Sequence, residues 1–527
     1  MFSIRSLISA LFVISCVFVG AQPKAGASAK PNIIYILADD LGIGDLSIYN
    51  EEGKINTPHL DALGAEGMKF TDAHTSSSVC TPTRYGILTG RYNWRTPLKN
   101  FVTWGESPML IRDDRYTVAD LLKEHGYQTA SIGKWHLGFN WAVKDGAEEF
   151  AYYASRKTRY KADKIDFSKK LKKGALDLGF DYSFLLAASL NMPPFVYMEN
   201  DKAVMEPSGK SVQTRAQNPY AYWINGDISE DFVHEEVLPT FVDKAKAYIK
   251  EKADDDEPFF LYLPLPAPHN PILPIEPWAG KSGINPYADF VLMIDDLMGE
   301  IFQTVKESGI EENTLIIFTS DNGCAASANY SVLTEKGHNP SYIYRGKKGS
   351  YYEGGHRVPF LVKWPKVIKA NSVCDETICT TDFMATCADL VNYSLKDDEG
   401  EDSYSMMPLF MQQNGFKREA TIHHSKTGIF AIRKGDWKLI ISPNSGLTPD
   451  GKPEKSTKVL PEEMLYNLKS DIAETTNVAE QYPEKVEELK QLLIKQIREG
   501  RSTPGNIQAN DEIDFPWPQA AFAFEKD

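Results

Sequence analysis

Short runs of apolar residues alternate with longer stretches of helical pattern through most of the chain. The apolar runs predict four buried strands, at 32–38, 128–132, 259–263 and 315–319. Helices are predicted between them, at 57–63, 117–126 and 287–307. Because strands and helices take turns along the chain, we expect an α/β fold in which helices pack against a sheet.

The pattern changes near residue 400. Residues 396–416 are polar and have no clear period, so we place a domain boundary there. Alternating stretches then predict three short strands, at 420–424, 428–433 and 437–441. An amphipathic helix follows at 483–498. We therefore expect a first domain over 23–412 and a smaller C-terminal α+β subdomain over 413–527.

The first 22 residues have the pattern of a secretory signal. Arg5 precedes an apolar core at 7–19, and small residues before Gln22 suit cleavage. The core is too short to span a bilayer. Cys16 leaves open the alternative of a lipoprotein anchor. The sequence predicts an exported protein, periplasmic or secreted, without stable membrane insertion.

The net charge of the chain limits the classes of partner that it can bind. The 527 residues carry 72 acidic and 57 basic side chains, for a net charge of −15. A general nucleic-acid binder would be basic, so we exclude nucleic acid as a partner. An anionic substrate would have to meet a locally basic site. The lysines between Lys161 and Lys173 form a basic island, which is either a solvated face or a contact for a sulfated polymer.

Five cysteines remain after removal of the signal segment. Cys80 lies in a motif described below, and the others are Cys324, Cys374, Cys379 and Cys387. These four would allow one or two disulfides in an oxidising compartment, or they are buried free thiols. Their spacing does not resemble a zinc site.

Polar residues stand where the predicted strands end. They are Asp39 and Asp40, Lys134 and His136, His269, and Asp321 and Asn322. In open α/β sheets, sites form at the carboxyl ends of strands. Adjacent carboxylates there favour a hard cation such as Ca²⁺, although a helix-capping pair in a loop would have the same sequence. A lysine suits an anionic oxygen and a histidine suits proton transfer.

The segment from Ser78 to Arg91 has the chemistry of an anion site. Cys80 is expected directly before the start of a helix, with Pro82 in its first turn and Arg84 as a permanent cation. Taken alone, Cys80 is either a buried structural cysteine or a thiolate activated by the helix end.

Several motifs along the chain resemble those of the formylglycine-dependent (type I) sulfatases. Cys80-Thr81-Pro82-Thr83-Arg84 matches the C-x-P-x-R signature, which continues through Leu88-Thr89-Gly90-Arg91. Gly133 to Gly138 and Pro268-His269-Asn270-Pro271 match two further motifs. The resemblance implies an alkaline-phosphatase-like fold, with a large mixed sheet between helices and a smaller antiparallel C-terminal domain.

The resemblance also implies which residues form the active site and how position 80 is modified. A formylglycine-generating maturation enzyme would oxidise Cys80 to formylglycine, whose hydrate is the nucleophile. Calcium would be held by Asp39, Asp40, Asp321, Asn322 and the side chain at position 80. Catalytic roles fall on Cys80, Arg84, Lys134, His136, His269 and Lys348, and sulfate contacts on Lys134, Ser189, His269 and Lys348. Lys347 is the neighbour that could be confused with Lys348.

The substrate class implied is a sulfated carbohydrate. Algal polysaccharides of the ulvan or carrageenan type are the first candidates, and glycosaminoglycans are the alternative. Two rivals remain open from sequence: a phosphate or phosphonate ester hydrolase of the same superfamily, and a non-catalytic binder of sulfated glycans that uses the basic island.

Overall fold

The computed structural model describes residues 30–147, 162–213, 215–441, 462–512 and 517–524. The predicted signal segment, 1–22, lies outside them. The strands are β1 (Asn32–Asp39), β2 (Met68–Phe70), β3 (Ala73–His74), β4 (Gln128–Lys134), β5 (Tyr182–Leu186), β6 (Met198–Glu199), β7 (Lys202–Ala203), β8 (Gly209–Ser211), β9 (Gly226–Ile228), β10 (Phe259–Pro268), β11 (Thr314–Ser320), β12 (Phe360–Lys363), β13 (Ser372–Cys374), β14 (Ile378–Cys379), β15 (Thr421–His424), β16 (Phe430–Lys434), β17 (Trp437–Ile441) and β18 (Glu463–Asn467).

The α-helices alternate with these strands along the chain. They are α1 (Pro58–Ala65), α2 (Cys80–Thr89), α3 (Val118–Glu124), α4 (Val237–Lys252), α5 (Pro286–Glu307), α6 (Tyr330–Glu335), α7 (Glu353–His356), α8 (Phe383–Leu390), α9 (Met407–Phe410) and α10 (Pro483–Arg498). None of the described helices has both the length and the apolar character needed to cross a membrane.

A ten-stranded mixed sheet forms the centre of the molecule, in the order β13-β2-β12-β11-β1-β10-β4-β5-β6-β7. Its five central strands, β11 to β5 in that order, run parallel. Antiparallel strands flank them on both sides. The carboxyl ends of the parallel strands therefore meet along one edge of the sheet, where α/β proteins build their sites.

The central strands are buried on both faces. In β1, Tyr35 and Leu37 pack into the core that contains α2, α3 and α8, while Ile34 and Ile36 pack into the core that contains α1, α4 and α5. A strand covered on both faces needs apolar side chains at every position, which explains the unbroken apolar run in the sequence. The predicted α/β fold is confirmed.

Strand β10 is longer than expected, because the sequence predicted an end at 263. The strand continues through Pro264 and Pro266 to Pro268. Its pairing with β4 stops at Tyr262, whereas its pairing with β1 continues to Pro268. The prolines occupy alternate positions, so the missing N–H groups fall on one edge of the strand, beyond the pairing with β4. The extension carries His269 to the active edge of the sheet.

A four-stranded antiparallel sheet, β15-β16-β17-β18, forms near the C-terminus, and its first three strands are those that the alternating pattern predicted. One of its faces packs on Leu489 and Leu493 of α10. The other packs on Tyr351 and Tyr352, just before α7. The small sheet thus supports the segment that carries Lys348. The boundary between 412 and 413 stays a prediction.

Candidate active site

The residues predicted for the site converge at one edge of the large sheet. Asp39 and Asp40 lie at the end of β1, Lys134 and His136 at the end of β4, Ser189 after β5, His269 after β10, and Asp321 and Asn322 after β11. Helix α2 adds Cys80 and Arg84, and the segment before α7 adds Lys348. Lys348 is partly buried and the others are buried.

Cys80 lies at the centre of this cluster. It is the first residue of α2, with Val79 as the N-cap, so the expectation that it precedes the helix was wrong by one position. Its Sγ lies 3.5 Å from Asp39 Oδ1 and 3.3 Å from Lys348 Nζ. Burial raises the pKa of the thiol to about 12, although Lys134 and Lys348 oppose the shift. The side chain is therefore a neutral thiol at physiological pH rather than an activated thiolate.

Each of two lysines reaches one aspartate. Lys134 Nζ lies 2.5 Å from Asp39 Oδ2, and Lys348 Nζ lies 2.5 Å from Asp40 Oδ1. Burial by itself would raise the pKa of Asp39, but Lys134 and the neighbouring cations hold it well below its usual range. Asp39 is thus ionised, and its charge is balanced inside the site.

Arg84 balances the charge of Asp321, as the two lysines do for Asp39 and Asp40. Its Nε and Nη2 donate to Asp321 Oδ2 at 3.1 and 2.7 Å, and its Nη1 donates to the carbonyl of Lys134 at 2.9 Å. Burial and the nearby Asp39 raise the pKa of Asp321 to about 7, although Arg84 opposes the shift. A third carboxylate in so small a space holds a proton more readily, and a cation bound between the carboxylates would favour the ionised form.

The donor set fits a hard divalent cation. Asp39, Asp40 and Asp321 offer carboxylate oxygens, and Asn322 offers an amide oxygen. Asp40 Oδ2 and Asn322 Oδ1 are buried and accept no hydrogen bond from the described part of the chain. Buried acceptors of this kind are costly unless a ligand satisfies them. One ligand atom each from Asp39, Asp40, Cys80 and His269 lie within 4.8 Å of one another.

One nitrogen of the His136 ring is held by the main chain, and the other is buried without a partner in the described part of the chain. Its backbone adopts a left-handed conformation, with φ of +57°. Nε2 lies 3.0 Å from the carbonyl of Thr103 and so donates to it. This fixes the tautomer: Nδ1 keeps its lone pair, and it has no partner among the described residues. Burial, with Lys134 and Arg84 nearby, lowers the pKa of His136 well below its usual value.

His269 is held between two neighbours. Its Nδ1 lies 2.5 Å from the carbonyl of Asn270 and 3.2 Å from Ser189 Oγ, so Nε2 faces the cluster, 3.6 Å from Asp40 Oδ2. Burial, assisted by Lys348, lowers the pKa of His269 to about 4. The ring is neutral in this state, and an added negative charge in the site would raise its proton affinity.

The structure distinguishes Lys348 from Lys347. Lys347 Nζ lies 5.7 Å from the centre of the Tyr330 ring, outside the cluster. Lys348 N donates to the carbonyl of Cys324, and its side chain points toward Cys80. The two lysines therefore face different surroundings, and Lys348 belongs to the site.

Two threonines near His136 were not predicted from the sequence. The hydroxyls of Thr81 and Thr103 both donate to the His136 carbonyl, each at 2.9 Å. The Thr103 carbonyl also holds the His136 ring. Because Thr81 lies within the C-x-P-x-R motif, its position in the sequence could have indicated a role. Thr103 acts partly through its main chain, which leaves no signal in the side-chain pattern.

Other predicted features have plainer roles. All five cysteines of the described chain are free thiols. In the basic island, Lys169, Lys170 and Lys173 pair with aspartates, which favours the reading as a solvated face. Lys161 lies outside the described residues.

His423 of the small sheet is a buried strand residue. It lies in β15 and stacks on His356 at a centroid distance of 4.0 Å. His424, beside it, is buried too, with Nε2 2.6 Å from Asn93 Oδ1. Neither contacts the cluster around Cys80 through a hydrogen bond among the described residues.

The large mixed sheet with a parallel centre, and the charged cluster at its strand ends, agree with the alkaline-phosphatase-like fold that the motifs implied. A family model described as Sulfatase matches residues 31–393, and the chain belongs to the sulfatase family. It is therefore a sulfuric ester hydrolase, as the motifs predicted.

Similar proteins cover almost the whole chain. The N-acetylgalactosamine-6-O-sulfatase of Bacteroides thetaiotaomicron is 35% identical over 88% of this chain and 93% of that protein. Human arylsulfatase A is 30% identical over 88% of this chain and 87% of that protein. Both relatives are named as sulfatases, in agreement with the family model.

Solved structures agree on the fold. One, described under the metabolism of multiple glycosaminoglycans by Bacteroides thetaiotaomicron, is 33% identical, with a TM-score of 0.76 over 89% of this chain and 99% of that one. Another, in complex with a neocarrahexaose, is 22% identical, with a TM-score of 0.66 over 91% of this chain and 95% of that one. At that identity the second structure shows the fold alone.

Proposed function

We propose that the protein is an exported, calcium- and formylglycine-dependent sulfatase that removes sulfate from glycosaminoglycan sugars. The 6-sulfate of an N-acetylated amino sugar is the first candidate. This choice is supported by the 35% identity to an N-acetylgalactosamine-6-O-sulfatase along nearly the full length of both chains. Ulvan and carrageenan, the first candidates from sequence, remain in the test panel.

The observation that carries the proposal is the meeting of five predicted ligands at one sheet edge. Asp39, Asp40, Asp321 and Asn322 would hold calcium together with the side chain at position 80. Asp40 contacts both Asp321 and Asn322, and Cys80 contacts Asp39. When bound, calcium supplies a Lewis acid and a template for the sulfate group. Arg84 keeps Asp321 in place through two hydrogen bonds.

Position 80 would carry formylglycine, made from the cysteine by a formylglycine-generating maturation enzyme. The hydrated aldehyde supplies an oxygen nucleophile and allows hydrolysis in two steps. The neutral, buried thiol of unmodified Cys80 is a poor nucleophile, which supports a need for this modification.

The lysines would bind the sulfate. Lys134 pairs with Asp39 and Lys348 pairs with Asp40, and both lie near Cys80. Their ammonium groups balance charge on the sulfate oxygens as the ester bond lengthens. Ser189, placed 3.2 Å from His269 Nδ1, would add a neutral donor.

The two histidines would move protons. His269 Nε2 faces the cluster, where the charge of a bound sulfate favours its protonation, so it can donate to the leaving oxygen. His136 has a lone pair on Nδ1 because the Thr103 carbonyl holds the other nitrogen. It would accept the proton whose removal restores position 80 and releases sulfate.

The decisive experiment measures free sulfate by ion chromatography. The chain is produced with a formylglycine-generating enzyme, and mass spectrometry confirms the aldehyde at position 80. The substrates are sulfated glycosaminoglycan, ulvan and carrageenan oligosaccharides, with an aryl phosphate as the control for the rival chemistry.

We expect sulfate from one glycan class, lost in Cys80→Ala and after calcium chelation. Phosphate release in place of sulfate, or full activity of folded Cys80→Ala, would overturn the proposal. Secretion by the native host, followed by sequencing of the mature N-terminus, tests export.

A further inference from the structure

Asp45 is a buried carboxylate that follows the end of β1 and accepts three hydrogen bonds. Its Oδ2 accepts from Gly42 N at 2.7 Å and from Tyr287 Oη at 2.5 Å, and its Oδ1 lies 2.9 Å from His338 Nε2. His338 Nδ1 accepts from Lys54 N at 3.2 Å, so the ring proton is on Nε2 and is donated to Asp45. The carboxylate is therefore held by the turn after β1, by helix α5 and by the segment after α6.

The turn that Asp45 closes contains Asp40, one of the predicted calcium ligands. Asp40 has φ of +68°, a left-handed conformation that a residue other than glycine keeps only where its surroundings hold it. The Tyr287 hydroxyl, which donates to Asp45, also lies 3.3 Å from the Asp40 carbonyl. Asp45 thus fixes Gly42 directly and, through Tyr287, contacts the main chain of Asp40.

The backbone of Asp40 limits the directions in which its carboxylate can point. Oδ1 accepts from Asn322 Nδ2 at 2.7 Å, whereas Oδ2 is buried and accepts no hydrogen bond from the described part of the chain. Because Asn322 uses its Nδ2 in this way, its amide oxygen is left for a ligand, and it too has no donor among the described residues. A shift of Asp40 would therefore displace two predicted calcium ligands together.

We infer that Asp45 is a positioning residue for the calcium site, which holds Asp40 and Asn322 in place through its bonds to Gly42 and Tyr287. The inference rests on the proposed dependence on calcium. Residues that orient the ligands of a metal have large effects on its affinity, and their loss typically costs about 10- to 100-fold. If Asp45 served only to cap the short 3-10 helix Ile43–Asp45, its loss would lower stability and leave calcium affinity unchanged.

The test is calorimetric titration of calcium into the matured full-length protein without substrate. Asp45→Asn is the main variant, because its amide nitrogen would face either the donors of Gly42 and Tyr287 or the N–H of His338. We expect its dissociation constant for calcium to rise about ten-fold or more. Tyr287→Phe, which keeps the ring, should raise the constant about five-fold, as the loss of one hydrogen bond predicts.

Two matched controls make the same changes at other buried hydrogen bonds. Asp382 is buried and caps another 3-10 helix, where it accepts from Cys379 N at 2.9 Å and from Tyr404 N at 3.0 Å. Tyr49 Oη donates to the Phe70 carbonyl at 2.9 Å. Asp382→Asn and Tyr49→Phe should lower the free energy of unfolding in urea and leave the dissociation constant for calcium unchanged.

Unchanged calcium affinity in folded Asp45→Asn and Tyr287→Phe would overturn the inference. An equal loss of affinity in Asp382→Asn would also overturn it, because the effect would then be one of general destabilisation. If Asp45→Asn does not fold, the result for Tyr287→Phe decides. A failure of the proposed function has a different signature: the wild type would then bind no calcium, and the inference would fall with it, or the matured enzyme would bind calcium and release no sulfate.

Discussion

Charges in the site are balanced residue by residue. The pairs are Lys134 with Asp39, Lys348 with Asp40, and Arg84 with Asp321. Buried ions are stable only when each has a partner, and each of these three carboxylates has a cationic one. The oxygens of a sulfate ester would pair with the same ammonium groups, and the carboxylates would hold a divalent cation.

Lys348 and Lys347 offer a direct test of this arrangement. We expect Lys348→Met to lower kcat/KM by about 100-fold or more, because it removes a cation aimed at developing negative charge. Lys347→Met should stay within about three-fold, since a surface cation outside the cluster contributes little. The measurement is sulfate release by the matured enzymes on one substrate. A larger loss in Lys347→Met than in Lys348→Met would contradict our assignment.

The sequence alone could not separate these lysines. They are adjacent, and both precede a glycine-rich segment with no helical or strand period. Gly346 and Gly349, on either side of the two lysines, have φ of +91° and +88°, which are left-handed positions that glycine adopts readily. Such backbone angles are only weakly specified by the residues around them.

At the scale of elements, helix α7 joins the small sheet to the large one. Glu353 accepts from Lys438 of β17 at 3.0 Å and from Arg357 at 2.8 Å. Its N–H donates to Glu474. At the other end of the helix, the Gly355 carbonyl accepts from Gly323 N, next to Asn322. The buried ion pairs thus position a predicted metal ligand from a distance.

We expect Lys438→Met to lower the free energy of unfolding by about 3 kcal/mol, because it leaves buried carboxylates short of a cation. The matched control is Lys434→Met in the neighbouring strand, where the lysine forms a surface pair with Glu488. That loss should be about 0.5 kcal/mol. Urea unfolding measures both. Equal losses would show that the α7 network adds nothing beyond a surface pair.

Strands with simple patterns were predictable, and contacts between loops were not. β1 and β11 lie between helices on both faces, so their apolar runs identify them. The end of β10 was placed early because prolines usually end a strand, and only the pairing with one neighbour permits them here. The contact of Thr103 with His136, 33 residues apart, depends on loop geometry that no period encodes.

At the scale of the whole molecule, many histidines are buried in the neutral form. Burial lowers the pKa of His234 to about 3 and of His424 to about 4, and it lowers that of His74, His356 and His423 as well. In the unfolded chain these groups titrate near their ordinary value, about 6.5. The unfolded state therefore binds more protons below that pH, and folding stability is lost as the pH falls from about 6.5 toward the lowered values.

His234 isolates this effect, because burial is the sole cause of its shift. It stacks on Trp223 at 3.8 Å, and its Nε2 has no partner among the described residues. Of the unfolding free energy that is lost between pH 7.5 and pH 5, the protonation of His234 accounts for about 2 kcal/mol. We therefore expect His234→Phe to reduce the fall in unfolding free energy over this range by that amount, as measured by urea titration. An identical pH profile for His234→Phe and wild type would mean that the unfolded chain shields this histidine equally, and the acid sensitivity would then have to come from the other buried histidines.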